Sequence, residues 1–236
     1  MNEKECLHAV RRSRLFENVP AGVIESSVLP HGRCIPFAQG ANVFMPLDRV
    51  SSVQLLLSGR IKLVYYMENG EEDVRNMLFP PNLVGVDLIC TRTQLSPYQA
   101  IAAEQSELFS FPADILLQPG AMPERERLIC LGNLLQIISH INMQNEYRLA
   151  ILTRSSLRER ILVYLTMQAN RTQSNTFRIP FSREEMASYL RVNRSALSHE
   201  LSLLRQEGII NFSKNVFTLR ASGLPGSAAP ALFTNP

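Results

Sequence analysis

FSREEMASYLRVNRSALSHELSLLRQEGIINFSKNVFTL, residues 181–219, is the stretch that decides how the chain is read. Ser182 and Glu185 have the S-x-x-E spacing of a capping box, in which each side chain satisfies an orphan backbone donor at a helix start. A first helix is expected to run to about Leu190. Arg191 and Val192 then make a turn, and Asn193 caps a second helix. Gly208 stands where that helix should stop, because a glycine just past a helix end turns left-handed without strain. Leu197, Leu201 and Leu204 fall at i, i+4 and i+7 and give one buried stripe. Arg194, Ser195, Ser198, His199, Ser202 and Arg205 share the opposite side, with Glu200 off that face. Serines and cations with little acid suit a helix that enters a DNA groove, because nothing on the face repels phosphate. Residues 209–212 and 216–219 read as the strands of a wing, with Lys214 and Asn215 at its turn. The pattern alone fits a helical hairpin with a solvated polar face equally well, so the surroundings have to separate the two.

Charge is the first of these surroundings. The 236 residues are 45% hydrophobic, enough for two small cores, and carry a net charge of +3. That total hides a split. Residues 1–147 hold 12 Lys/Arg against 16 Asp/Glu, whereas residues 148–220 hold 12 against 5. The basic excess surrounds the proposed hairpin, as polyanion binding would require. No stretch is long and apolar enough to span a membrane, and the start of the chain lacks a signal-type apolar run, so a cytoplasmic protein is expected.

Upstream, residues 1–27 suggest one or two short helices anchored by Leu15, Phe16, Val19 and Ile24. Short strands follow, at residues 35–37, 42–45, 53–57, 61–66, 72–78 and 100–111. Ser58-Gly59 and Asn69-Gly70 mark hairpin turns between them. Pro80-Pro81-Asn82 marks another turn, and Gly85 opens the segment that leads to Cys90. Many short, evenly spaced strands imply an antiparallel barrel, sandwich or roll.

A long helix is expected over residues 124–154. Leu128, Leu131, Leu135, Ile138, Asn142, Asn145, Leu149 and Leu152 alternate by three and four, as a two-stranded coiled-coil seam does. The two asparagines weaken such a seam but fix its register. Leu134, Ile137 and Ile141 make a flanking edge suited to packing on the β region. Ser155-Ser156 reads as a hinge and residues 157–169 as a basic amphipathic helix with Arg158 and Arg160 outward. The uncharged, Pro-rich tail, residues 221–236, is expected to be disordered.

In this order, VNRSALSHELSLLRQEGII with the wing KNVFTL resembles the DNA-binding end of the cyclic-AMP receptor protein/FNR family of bacterial transcription regulators. Leu56-Leu57-Ser58-Gly59-Arg60-Ile61 resembles that family's roll signature. The resemblance implies an α+β chain in four parts. These are an effector-binding antiparallel β-roll of the cyclic-nucleotide-binding jelly-roll kind (residues 1–122), a dimerisation helix (123–154), a winged helix-turn-helix (155–220) and the tail. The family's groove-reading Arg falls on Arg194, its Glu position on Ser195 and its later Arg on His199. With Arg183, Asn193 and Ser198 these make the candidate DNA-contacting set. Losing the Glu removes an acceptor for cytosine, so the half-site should differ from the family's best-known ones.

The cyclic-AMP pocket of such proteins needs a Gly-Glu pair and an Arg-Ser pair. Here Gly85 is followed by Val86 and Asp87, and the Arg-Ser position falls on Pro97-Tyr98. Proline offers no donor to a phosphate, so cyclic AMP is not expected to bind tightly. Gly85, Val86, Asp87, Leu88, Pro97, Tyr98 and Leu128 are the effector-pocket candidates, whether the pocket holds another small molecule or is filled by its own side chains. The seam candidates are Leu128, Leu131, Leu135, Ile138, Asn142 and Asn145.

The four cysteines, Cys6, Cys34, Cys90 and Cys130, are scattered and match no zinc spacing. Cys6 stands alone near the start, without the clustered cysteines of iron–sulfur relatives, and Cys90 and Cys130 read as core residues. His31 and Cys34 are ligand types three apart, a spacing that also arises by chance. No cofactor, metal or catalytic constellation is expected, and the chain is not expected to be an enzyme. The expectation is a homodimeric regulator of palindromic double-stranded DNA, with RNA polymerase and an unidentified small-molecule effector as partners. The alternatives are a ligand-binding module whose C-terminal domain contacts proteins, or a haem- or redox-sensing member of the same family.

Overall fold

Short apolar runs broken by turn residues become strands in the first half of the chain, and amphipathic runs become helices in the second. The computed structural model describes residues 3–66 and 72–220. It divides into two units, Met1–Met143 and Gln144–Pro236.

In the first unit, α1 (Glu3–Arg11) and α2 (Ala21–Ser27) precede β1 (Arg33–Phe37), β2 (Asn42–Phe44), β3 (Ser52–Ser58), β4 (Ile61–Tyr66), β5 (Glu72–Leu78), β6 (Leu83–Val84), β7 (Gln99–Ala102) and β8 (Ser106–Pro112). These pair in two antiparallel four-stranded sheets, ordered β1-β8-β3-β6 and β2-β7-β4-β5. This is the antiparallel β domain the sequence pattern implies. One boundary differs. The strand expected over residues 100–111 is two strands, β7 and β8, on different sheets. The backbone turns at Ala103–Gln105, where Ser106 Oγ donates to the Glu104 carbonyl at 2.8 Å. The expected Asn69-Gly70 turn lies outside the described residues, as does the tail.

The core of this unit joins Leu55, Leu56, Ile61, Val84, Leu108 and Phe111 with Val10, Leu15, Phe16 and Ile24 from the leading helices. After α3 (Asp114–Leu117) comes the long α4 (Glu124–Leu152). Its Cys130 and Leu134 are buried in this core, with Ile137 and Ile141 packed beside them, so the flanking edge read from the sequence does face the β domain. Asn133 Nδ2 donates to the carbonyls of Leu15 and Glu17, which ties α4 to the leading segment.

The second unit contains α5 (Leu157–Thr172), β9 (Thr176–Arg178), α6 (Arg183–Tyr189), α7 (Arg194–Gln206), β10 (Ile210–Ser213) and β11 (Val216–Leu219). The wing is a three-stranded antiparallel sheet, β10-β11-β9. Its core is Leu197, Leu201 and Leu204 from α7 with Ile161, Leu165, Met186, Leu190 and Phe217. Tyr164, Phe181 and Tyr189 form an aromatic cluster with ring centroids 4.9–6.2 Å apart. Ser156, at the expected hinge, caps α5 by accepting from the Glu159 N–H.

Candidate nucleic-acid interface

Caps place α7. Ser182 accepts from the Glu185 N–H while the Glu185 carboxylate accepts from the Ser182 N–H, completing the capping box of α6. Leu190 ends that helix, and Arg191 takes the left-handed turn at φ 55°. Asn193 Oδ1 then accepts from the Ala196 N–H at 2.7 Å and starts α7. At the far end Gly208 sits at φ +74°, and the Ile209 N–H reaches back to the Leu204 carbonyl. This is the 6→1 closure that a left-handed glycine permits.

Leu197, Leu201 and Leu204 of α7 are fully buried, and its other face carries Arg194, Ser195, Ser198 and His199, all exposed. The Ser195 hydroxyl donates to Asn193 Oδ1 at 2.8 Å. The exposed Ser195 hydroxyl is thus tied to the cap of its own helix. Arg205, on the last turn of the same helix, lies 5.0 Å over the Phe212 ring of the wing. Glu200 turns away from this face and pairs with Arg158 at 3.5 Å.

Three arginines have different surroundings from those read in the sequence. Arg158 is not free on an outward face. It is ion-paired with Glu207 as well as Glu200, which joins α5 to the middle of α7 and to the residue that caps its C-terminal end. Arg160 donates to the Arg154 and Leu190 carbonyls. Arg183, one of the DNA-contacting candidates, is half-buried over Phe212 (4.9 Å) and Phe217 (5.6 Å) and donates to the Lys214 carbonyl. Burial and, second, the neighbouring Arg194 charge lower its pKa. Its guanidinium holds the wing turn against α6.

The effector-pocket candidates lie in the first unit. Val86, Leu88 and Tyr98 are 1%, 4% and 1% exposed, and Gly85 is buried. Tyr98 packs against Phe44 and Tyr65 at 5.7 and 5.9 Å. Its hydroxyl donates to Asp87 Oδ1 at 2.6 Å, and burial followed by that carboxylate raises its pKa far above the ordinary tyrosine value. Arg75, which sequence reasoning missed, lies 5.5 Å over both the Tyr65 and Tyr98 rings. No local spacing links residue 75 to residue 98; the β4–β5 and β4–β7 pairings bring them together. Pro97 and Leu128 stand apart from this group, both exposed. A cleft of about 290 Å³ lined by Phe44, Asp48, Arg49 and Gln54 involves none of the candidates.

Along α4, Leu128, Leu135, Asn142 and Leu149 recur every seven residues and are all exposed, the three leucines by 55%, 66% and 58%. Leu131, Ile138 and Asn145 are half-buried beside them. Among the cysteines, Cys130 is buried as expected. Cys90 is a correction: it is exposed, at the end of a run whose buried members are Val86, Leu88 and Ile89. Cys34 lies in β1, not in a loop, and among the described residues no group of three or more His, Cys, Asp or Glu could hold a metal. Among them too, no helix is long and apolar enough to cross a membrane.

A cyclic nucleotide-binding domain model matches residues 34–118, and a Crp-like helix-turn-helix domain model matches residues 159–224. Together the two cover more than half of the chain. The chain belongs to the Crp/Fnr family. The transcriptional activator protein FnrA of Stutzerimonas stutzeri is 26% identical over 212 residues, spanning 87% of this chain and 83% of that protein. The transcriptional activator protein Anr of Pseudomonas aeruginosa is 25% identical over 190 residues, 78% of this chain and 74% of that one. Among solved structures, the c-di-GMP-responsive global regulator CLP of Xanthomonas campestris shares the fold with a TM-score of 0.68 at 17% identity, covering 86% of this chain and all of CLP. FixK2 of Bradyrhizobium japonicum superposes with a TM-score of 0.64 at 15% identity, over 80% of this chain and 92% of that one. Crp/Fnr proteins are transcription regulators that bind DNA through a helix-turn-helix, and here that element is α6–α7.

Proposed function

We propose that the protein is a homodimeric, cytoplasmic, sequence-specific transcription regulator that reads a palindromic site with α7 and answers to a small molecule held in the β domain. The observation that carries this reading is the exposed face of α7, where Arg194, Ser195, Ser198 and His199 stand clear beside a buried leucine stripe. Arg194 is assigned the base contact, since a bidentate guanidinium–guanine pair discriminates by about 1–3 kcal/mol. Ser195 is assigned as an acceptor for an exocyclic amine of cytosine or adenine. The Asn193 cap leaves the first N–H groups of α7 facing outward, a place where a phosphate is readily held.

Residues 1–122 are taken as the effector domain, 123–154 as the dimerisation helix and 155–220 as the DNA-binding domain, with RNA polymerase as the downstream partner. Cyclic AMP is a poor fit. Tyr98 stands at the family's phosphate-clamping position, with its ring buried and its hydroxyl already given to Asp87. An effector that enters here would have to displace or stack on the Tyr65–Arg75–Tyr98 group, which favours a planar aromatic molecule that needs no phosphate clamp.

Selection from random DNA tests the reading. A palindrome should be enriched, and Arg194→Ala should lower affinity for it roughly 5- to 100-fold while relaxing one position in each half-site. Equal losses on the selected site and on random DNA would remove Arg194 from base reading. Sub-micromolar binding of cyclic AMP by calorimetry would overturn the effector assignment alone.

A further inference from the structure

Cys6 and Cys34 are 28 residues apart in sequence, yet their sulfurs lie 3.6 Å apart, with the Cys34 thiol donating to Cys6 Sγ. Cys6 is on α1 and 7% exposed; Cys34 is on β1 and half-buried. β1 is held by β8, with Cys34 opposite Phe109, so one sulfur is fixed to a sheet while the other rides on a terminal helix. We propose that Cys6 and Cys34 form a reversible intrachain disulfide on exposure to a hydroperoxide, fastening α1 to β1.

An S–S bond of about 2.05 Å requires the sulfurs to close by roughly 1.5 Å, which side-chain rotation and a small shift of α1 supply. The order of events follows from access. Burial and, second, the bond from Cys34 push the Cys6 thiol up to about 12, so it does not meet the oxidant as a thiolate. Cys34 is the more accessible sulfur. Its sulfur, having given its proton to solvent, attacks one oxygen of the hydroperoxide; the O–O bond breaks, the leaving hydroxide takes up a proton from solvent, and the products are a Cys34 sulfenic acid and, for hydrogen peroxide, one water. Cys6 sulfur then attacks the Cys34 sulfur; the S–O bond breaks, hydroxide leaves, and the Cys6 proton joins it as a second water. Two thiols are oxidised by two electrons and the peroxide is reduced to two waters. A dithiol reductant reverses the step by thiol–disulfide exchange.

The experiment uses the full chain carrying Cys90→Ser, which removes an exposed thiol that would otherwise join two molecules. The protein is treated with hydrogen peroxide, its free thiols are alkylated, and the peptides are mapped by mass spectrometry. The Cys6 and Cys34 peptides should appear joined and lighter by two hydrogens, with Cys130 alkylated only after unfolding. Dithiothreitol should restore both thiols. The oxidised form should melt higher by roughly 5–10 °C, a gain absent from Cys34→Ser. Two results overturn the proposal: both thiols remain alkylatable after peroxide, or Cys34 is driven to sulfinic acid without crosslinking. The mapping in otherwise unsubstituted protein stands however the Cys34→Ser variant folds.

Discussion

Gly59 turns the chain between β3 and β4 at φ +83°. A Cβ there would lie 2.3 Å from Ser106 Oγ and 2.4 Å from the Gln105 carbonyl oxygen. The same Ser106 hydroxyl accepts from the Arg60 N–H at 3.1 Å, so it cannot swing aside without losing a turn contact. Gly59→Ala therefore combines left-handed strain of about 1 kcal/mol with a backbone clash, and should destabilise the β domain by about 2 kcal/mol or more in urea denaturation. Cys130 makes a different demand. Burial, and then the Glu126 charge, push its thiol from 9.0 up to about 12. The folded chain keeps a proton that the unfolded chain releases above pH 9, so this contribution is intact below pH 9 and is lost as pH rises toward 12. Each pH unit in that window costs up to about 1.4 kcal/mol. Wild-type melting temperature should fall more steeply between pH 8 and 10.5 than that of Cys130→Ala; identical slopes would contradict the assignment. Cys6 has the same sign, so the variant flattens only part of the curve.

At the scale of elements, α5 and α7 are joined by one arginine. Arg158 holds Glu207 below its usual carboxylate pKa through a direct hydrogen bond, so the pair is complete at neutral pH and dissolves as acid protonates Glu207. The group is exposed and screened, and Arg158→Ala should lower the melting temperature by only about 1–3 °C. It should leave the salt slope of DNA binding unchanged, whereas a phosphate contact would reduce that slope by about 1. This arginine also marks where sequence stops being informative. The capping box at Ser182 and Glu185, the Asn193 cap, the Gly208 stop and the leucine stripe of α7 were legible because each depends on neighbours within one or two turns. The partners of Arg158 lie 42 and 49 residues away and follow no period. Shorter but still long-range separations, 28 and 23 residues, hid Cys34 from Cys6 and Arg75 from Tyr98. The division of residues 99–112 between two sheets was hidden too, since an apolar run does not say which neighbour each half will find.

For the whole molecule, the exposed column on α4 is the decisive surface. Leu128, Leu135 and Leu149 present large apolar side chains to solvent at a seven-residue interval, interrupted by Asn142. In the proposed dimer a second copy of the helix would cover this column, and two recognition helices would then meet two half-sites. Leu135→Glu should give a monomer in sedimentation velocity and cost at least about tenfold in affinity for a palindrome. Its far-UV circular dichroism should be unchanged, because Leu135 is 66% exposed and lies outside the buried core. A variant that sediments as a dimer would move the seam elsewhere.

The asparagine in that column has a consequence for gene dosage. A polar residue at a seam position trades pairing strength for register, so the proposed dimer would be weaker than an all-leucine seam would make it. Where the cell holds fewer chains than the pairing constant requires, the number of dimers varies as the square of the number of chains. In the proposed dimer, halving synthesis would then cut the occupancy of an unsaturated palindromic site about fourfold, so the response to the regulator's own abundance would be steeper than linear even before any signal arrives.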